Sequence, residues 1–206
     1  MIKACLFDLD GVVFDTEPLY TIYWGQIGRK YHPEIEGFEY KIKGQTLVQI
    51  YEKYFPGEDA VQTEITKGLD EYEKNMSYIY VDGFEKFVRE LKKQGIKTAI
   101  VTSSNLAKME IVYHHHPELK SYFDHIFTSE DFKASKPDPD CYLTGAAAFG
   151  YKPSECVVFE DSFNGLKSGL AAGARVIGLS TTNSEASIRE YTQEVIPNFI
   201  GFSLNQ

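Results

Sequence analysis

A chain of 206 residues can bury a sizeable core and suits one domain with an insertion or two small ones. With 43% hydrophobic and 25% charged residues it has an ordinary globular composition, which excludes a disordered chain. A net charge of −9 opposes nonspecific binding to nucleic acid or to an anionic membrane surface, so any anionic substrate must be met by local positive charge. Three cysteines, Cys5, Cys141 and Cys156, lack a CxxC spacing and make an odd count. They read as reduced, mostly buried thiols rather than a disulfide framework. No apolar run reaches the ~18 residues needed to cross a bilayer, and Met1-Ile2-Lys3 leads straight into the first strand, so a cytoplasmic protein is expected.

The first element is Lys3-Ala4-Cys5-Leu6-Phe7-Asp8-Leu9-Asp10-Gly11, an apolar run that ends in two acids one residue apart and a glycine. Such a run reads as a parallel strand covered on both faces, and in sheets of that kind ligands bind at the carboxyl ends of strands. Period-two alternation lets Asp8 and Asp10 point the same way, and Gly11 permits a sharp turn. From about residue 17 to 76 the periodicity becomes helical, with breaks near His32-Pro33, Gly44 and Phe55-Pro56-Gly57. After Val81-Asp82-Gly83, strand and helix alternate. A helix is predicted over about 83–94, a strand near 97–102, a helix after Asn105 and a short strand near 124–128. There follow a helix over about 139–149 and strands near 156–160 and 174–179 with a helix over 164–172 between them. This alternation predicts an α/β fold on a doubly wound parallel sheet. Asp15-Thr16-Glu17-Pro18 and Tyr80-Val81-Asp82-Gly83 are the two crossings between core and insertion.

Four segments carry the chemistry. Phe7-Asp8-Leu9-Asp10-Gly11-Val12-Val13-Phe14-Asp15-Thr16-Glu17-Pro18 closely resembles the first motif of the haloacid dehalogenase superfamily, in particular of its beta-phosphoglucomutase-like phosphatases. Ala99-Ile100-Val101-Thr102-Ser103-Ser104-Asn105 resembles the second motif, and Ser135-Lys136-Pro137-Asp138-Pro139 the third. Val157-Val158-Phe159-Glu160-Asp161-Ser162 resembles the acidic fourth. The order is the family's, and the resemblance covers nearly the whole chain. It implies a Rossmann-like core, residues 1–15 and 81–206, with a small α-helical cap inserted over residues 16–80. The activity implied is that of a Mg²⁺-dependent phosphatase acting on a small phosphorylated metabolite such as a sugar phosphate.

Phosphoryl transfer needs a nucleophile, a proton donor for the leaving group and positive charge around the transferring oxygens. On this resemblance Asp8 attacks phosphorus to give an aspartyl-phosphate, and Asp10 protonates the leaving alcohol and later deprotonates the attacking water. Neighbouring carboxylates can hold different protonation states because like charge raises one pKa. Repulsion between an anionic nucleophile and an anionic phosphate calls for a hard cation. Asp8, Asp161 and the Asp10 carbonyl are the expected Mg²⁺ ligands, with Glu160 bound directly or through water. Glu160-Asp161-Ser162 also suits the N-cap of the following helix, and the two uses can coexist.

Thr102 is expected to donate to the phosphoryl oxygens, helped by Ser103, Ser104 and Asn105 at a helix start. Lys136 is expected to pair with the phosphoryl group and Asp8. The resemblance places Lys43-Gly44-Gln45, in the insertion, opposite the phosphate. An acid at position 10 argues against dehalogenation, because the dehalogenases of the superfamily lack it there.

The nearest alternative is a sugar phosphomutase. In the mutase pattern a cap arginine holds the distal phosphate and a histidine sits on the first cap helix; this chain has Leu47 and Tyr20 instead, and both departures favour hydrolysis. A phosphorelay receiver or a phosphate-binding module is the non-enzyme alternative, disfavoured by the acid pair on the first strand and by the insertion. His114-His115-His116 resembles a metal tract, but consecutive helical residues diverge by about 100° and do not converge on one ion, so a solvent-facing helix end closed by Pro117 is expected. His32 and His125 are isolated. Tyr20, Tyr23 and Trp24 are expected to pack helix on helix within the insertion more often than to face substrate. A monomer with no nucleic-acid or membrane partner is expected.

Overall fold

The structure, a computed structural model, describes residues 1–204. Strands β1 (Ala4–Phe7), β2 (Lys97–Val101), β3 (His125–Phe127), β4 (Cys156–Glu160), β5 (Arg175–Leu179) and β6 (Val195–Ile196) form one sheet in the order β3-β2-β1-β4-β5-β6. Every pairing is parallel. This is the doubly wound, Rossmann-like order, and its switch point, where ligands bind in such sheets, lies between β1 and β4. Phe7 is in register with Phe159 there, so Asp8 emerges beside Glu160.

Period-two alternation divides β1 between two cores. Cys5 and Phe7 enter a cluster with Phe84, Phe87, Val88 and Phe159, whereas Ala4 and Leu6 enter one with Tyr142, Ala146, Val158 and Leu166. Burial on both faces explains why β1 and β4 read as continuous apolar runs. Helices α5 (Phe84–Lys93), α6 (Leu106–His115) and α7 (Leu119–Tyr122) supply residues to the first cluster. Helices α8 (Asp140–Ala148), α9 (Phe163–Ala172) and α10 (Glu185–Ile188) supply the second. The predicted strands and helices of this region appear within a residue or two of their expected ends. The elements not predicted, α7, α10 and β6, have four residues or fewer, too short for a periodic signal.

Between β1 and α5 lie α1 (Glu17–Tyr31), α2 (Phe38–Lys41), α3 (Leu47–Tyr54) and α4 (Asp59–Asn75). They enclose a separate cluster of Tyr23, Trp24, Phe38, Ile42, Ile50, Phe55 and Ile65. Gly28 lets α1 approach closely, because a Cβ there would lie 2.7 Å from Cβ of Phe38. The two crossings run side by side: Asp15 N–H donates to Ile79 O at 2.8 Å and Val81 N–H to Val13 O at 3.0 Å. Phe14 stacks on Tyr80 with ring centroids 4.7 Å apart. No helix of the described residues is long and apolar enough to cross a membrane.

Candidate active site

A cavity of about 180 Å³ lies between the carboxyl ends of the strands and helices α1–α3, with Asp8, Asp10, Thr102, Ser103, Ser104, Lys136 and Asp161 in its wall on the sheet side. Lys43, Gly44 and Gln45 line it from the other side. Five segments far apart in sequence therefore share one space, because four of them lie beyond the ends of β1 to β4 and the fifth is the loop opposite.

Lys136 is the hub of the sheet side. Its Nζ donates to Asp8 Oδ1 at 2.8 Å, to Glu160 Oε1 at 2.6 Å and to Val101 O at 3.2 Å. Burial alone would depress this ammonium, but the facing carboxylates of Asp8 and Glu160 outweigh it and raise the lysine pKa. Burial pushes Asp8 up to about 7 against the opposing pull of Lys136, with Glu160 and Asp10 adding to the rise.

Glu160 is fully buried and its oxygens are committed. Oε1 also accepts from Tyr142 OH at 2.7 Å, and Oε2 accepts from the amides of Asp161 and Ser162 and from Ser162 Oγ. Gly165 makes room for it, since a Cβ there would overlap the carboxylate. Of the acidic segment, Ser162 is the actual N-cap of α9, accepting from Gly165 N–H at 3.1 Å.

Among the described residues no cation pairs with Asp161. Burial, and then the facing charges of Glu17, Glu160 and Asp8, hold its carboxyl well above the usual range. It accepts from Thr182 Oγ1, and Gly11, at φ +74°, lets the β1 turn pass directly over it. Oxygens of Asp8, Glu160 and Asp161 lie within 4.8 Å of one another, a hard-oxygen donor set with surplus negative charge that fits Mg²⁺.

Asp10 is held separately. Oδ1 accepts from Thr16 Oγ1 at 2.6 Å, while Oδ2 accepts from Ser104 Oγ at 3.3 Å and pairs with Lys108 Nζ. Thr16 stands at the N-cap of α1 without a side-chain capping bond, because Pro18 has no N–H to give and Leu19 N–H donates to Thr16 O at 3.0 Å; its hydroxyl donates to Asp10. Lys108, Thr16, Tyr142 and Thr182 were not singled out from the sequence. Lys108 carried a usable signal: it is a lysine in the first turn of α6, where the helix dipole disfavours a cation. Its ammonium also lies 4.7 Å from the Tyr20 ring centroid, and Tyr20 OH donates to Glu73 Oε1 at 2.7 Å.

The other expected site residues separate into two groups. Thr102 is buried and accepts from Ser104 N–H at 3.0 Å, which folds the second segment inward. Asn105 is exposed and outside the cavity wall; its side chain caps α6 by accepting from Lys108 N–H, so its placement does not match the expected phosphate contact. Lys43 pairs with Glu17 at 3.0 Å, and Gly44 O accepts from Asn164 Nδ2 at 2.8 Å, which seats this loop on the start of α9. Tyr20 and Trp24 do line the cavity, whereas Tyr23 packs internally and donates to Ile65 O. His114 and His115 are exposed, but His116 is half-buried and bonds Tyr78 O at 2.7 Å rather than facing solvent.

A parallel sheet in this order, with acids, a lysine and a hydroxyl converging at its switch point, defines an α/β enzyme of the phosphoryl-transfer kind. The model of the haloacid dehalogenase-like hydrolase family matches residues 2–173, and the chain belongs to that family. It is 32% identical over 196 residues to hexitol phosphatase A of Escherichia coli, covering 91% of this chain and 88% of that protein. It is 29% identical to a probable pseudouridine-5'-phosphatase of Drosophila melanogaster, covering 100% of this chain and 93% of the relative. Among solved structures, a family IA variant 3 hydrolase from Entamoeba histolytica superposes with a TM-score of 0.85 at 25% identity, covering 98% of this chain and 96% of that one. The chain is thus a phosphatase of this family.

Proposed function

We propose that this protein is a Mg²⁺-dependent phosphatase that hydrolyses a small phosphorylated metabolite, a sugar phosphate or similar, through an aspartyl-phosphate on Asp8. The observation that carries this reading is that Asp8 and Asp10 open onto one cavity with each carboxylate held by its own lysine. Asp8 Oδ2, free of Lys136, attacks phosphorus as the ester P–O bond breaks, and Asp10 gives its proton to the departing alkoxide. Asp10 then takes a proton from water as that water attacks phosphorus and releases Asp8 and inorganic phosphate. Lys136 and the Thr102 hydroxyl offset charge on the phosphoryl oxygens.

Asp8, Asp161 and the Asp10 carbonyl would hold Mg²⁺. Glu160, whose oxygens already serve five donors, fits better through water. When bound, the cation supplies charge neutralisation between nucleophile and substrate. We further propose that residues 16–80 act as a cap moving about the paired crossings, and that the enzyme works on free metabolites in a reducing compartment, in keeping with its three buried free thiols.

Asp8→Asn is expected to lower turnover of an aryl phosphate by at least about a thousandfold with the fold intact. Turnover within tenfold of wild type would remove Asp8 as nucleophile. Activity should vanish on chelation and return with Mg²⁺ but poorly with Ca²⁺, which accepts more ligands in a looser geometry.

A further inference from the structure

Resting on the phosphatase reading, the charge inventory of the cavity narrows the leaving group. Its wall carries five carboxylates, those of Asp8, Asp10, Glu17, Glu39 and Asp161, against three ammonium groups. Every one of those lysines is already committed: Lys136 to Asp8 and Glu160, Lys108 to Asp10, and Lys43 to Glu17. With Asp10 carrying the proton it gives to the leaving group, and the other four wall carboxylates and the Glu160 paired with Lys136 ionised around a divalent cation, the wall is neutral. A bound phosphoryl dianion then makes the occupied site negative, and a second anion on the same substrate meets repulsion with no uncommitted lysine in the wall, among the described residues, to offset it.

The uncommitted polar atoms on the insertion side point to the same selection. Glu39 makes no hydrogen bond or ion pair among the described residues, and Gln45 gives its amide N–H to Lys41 O at 2.7 Å, leaving its carbonyl oxygen without a protein partner. Both are acceptors. Hydroxyl groups donate to acceptors, whereas carboxylates and phosphates only accept. Trp24, Ile42 and Leu47 complete this end of the wall with apolar surface suited to a carbon skeleton. Arg29, on α1 near Glu39, is exposed and not part of the wall.

We propose that the cavity selects phosphate monoesters of uncharged, polyhydroxylated alcohols and rejects esters that carry a second anionic group. The test uses two matched pairs: sorbitol 6-phosphate against 6-phosphogluconate, and fructose 6-phosphate against fructose 1,6-bisphosphate. Each is assayed with Mg²⁺ for phosphate release and as a competitor of 4-nitrophenyl phosphate. The uncharged-alcohol member of each pair should have a kcat/KM, or a competitive affinity, at least about tenfold higher, and Glu39→Gln should narrow that ratio several-fold.

Equal or better use of the members with a second anion would overturn the proposal and point to Arg29 swinging inward. Failure of the underlying phosphatase reading looks different, because 4-nitrophenyl phosphate itself would then release no phosphate. In that event calorimetric titration of the same four esters reads the selection directly, and equal affinities within each pair would overturn it.

Discussion

Replacing Lys136 by Met removes the cation that pairs with Asp8 and with the buried Glu160. At 2.8 Å from Asp8 and 2.6 Å from Glu160, each attraction is worth about 6 kcal/mol at an effective dielectric near 20. Most of that is cancelled by the cost of burying the ammonium, and removing one partner of a buried pair typically costs about 3–5 kcal/mol. For a chain of this length the melting temperature should fall by roughly 10 °C. Proton uptake limits the loss. Asp8, pushed up to about 7 with Lys136 present, rises further without it. A folded-state pKa above the unfolded one stabilises at low pH, and that contribution is lost as pH rises through the folded value. The gap between wild type and Lys136→Met should therefore be smaller at pH 6 than at pH 8.5. Thermal melts in chelator at both pH values read this, and Mg²⁺ should recover much of the loss by restoring positive charge beside Asp8 and Asp161. Turnover should fall about a hundredfold or more. A drop under about 1 kcal/mol, or one independent of both pH and Mg²⁺, would refute Lys136 as the balancing charge.

Glu73 is buried beneath Tyr20, and burial raises its pKa against the opposing influence of Lys108 and Tyr20, so its ionisation destabilises the fold as pH rises. Glu73→Gln keeps an acceptor for Tyr20 and should raise the melting temperature more at pH 8 than at pH 5; a pH-independent change would contradict this. Gly165→Ala should drive Glu160 from its amide partners, lowering stability by about 1–3 kcal/mol and turnover with it, as read by melts and phosphate release. Changing His114, His115 and His116 together to Ala should leave the cation requirement unaltered while lowering the melting temperature, because His116 bonds Tyr78 O and packs against Phe14 and Tyr80. With Leu47 rather than an arginine in the cavity wall, beta-glucose 1-phosphate supplied with catalytic bisphosphate should release inorganic phosphate and yield little glucose 6-phosphate, measured by coupled assay.

What could be read from the sequence is what neighbouring residues encode together. The run from Ala4 to Phe7 is apolar at every position because both of its faces are buried, and the acids after it mark a strand end, so Asp8 and Asp10 were legible as a pair. Gly44 and the breaks at His32 and Pro56 marked the ends of α1 to α3 for the same local reason. What was not legible depends on contacts between distant positions. Lys108 meets Asp10 across 98 residues, and Thr182 meets Asp161 from a loop after β5 that has no periodic signal. Asn105 shows the opposite failure: its local capping role and a phosphate contact demand the same residue type, and only the direction of its side chain separates them.

The hydroxyl of Thr16 resolves a comparable ambiguity the other way. A threonine before Glu17-Pro18 is a helix N-cap by pattern, yet the helix starts without its capping bond. Pro18 has no N–H to offer it and Leu19 N–H goes to the backbone carbonyl of Thr16, so what the hydroxyl does is donate to Asp10. This bond ties the start of α1, at the crossing into the insertion, to the Asp10 carboxylate. On the cap and acid-base roles proposed above, movement of residues 16–80 about the crossings would act on Asp10 directly through this bond.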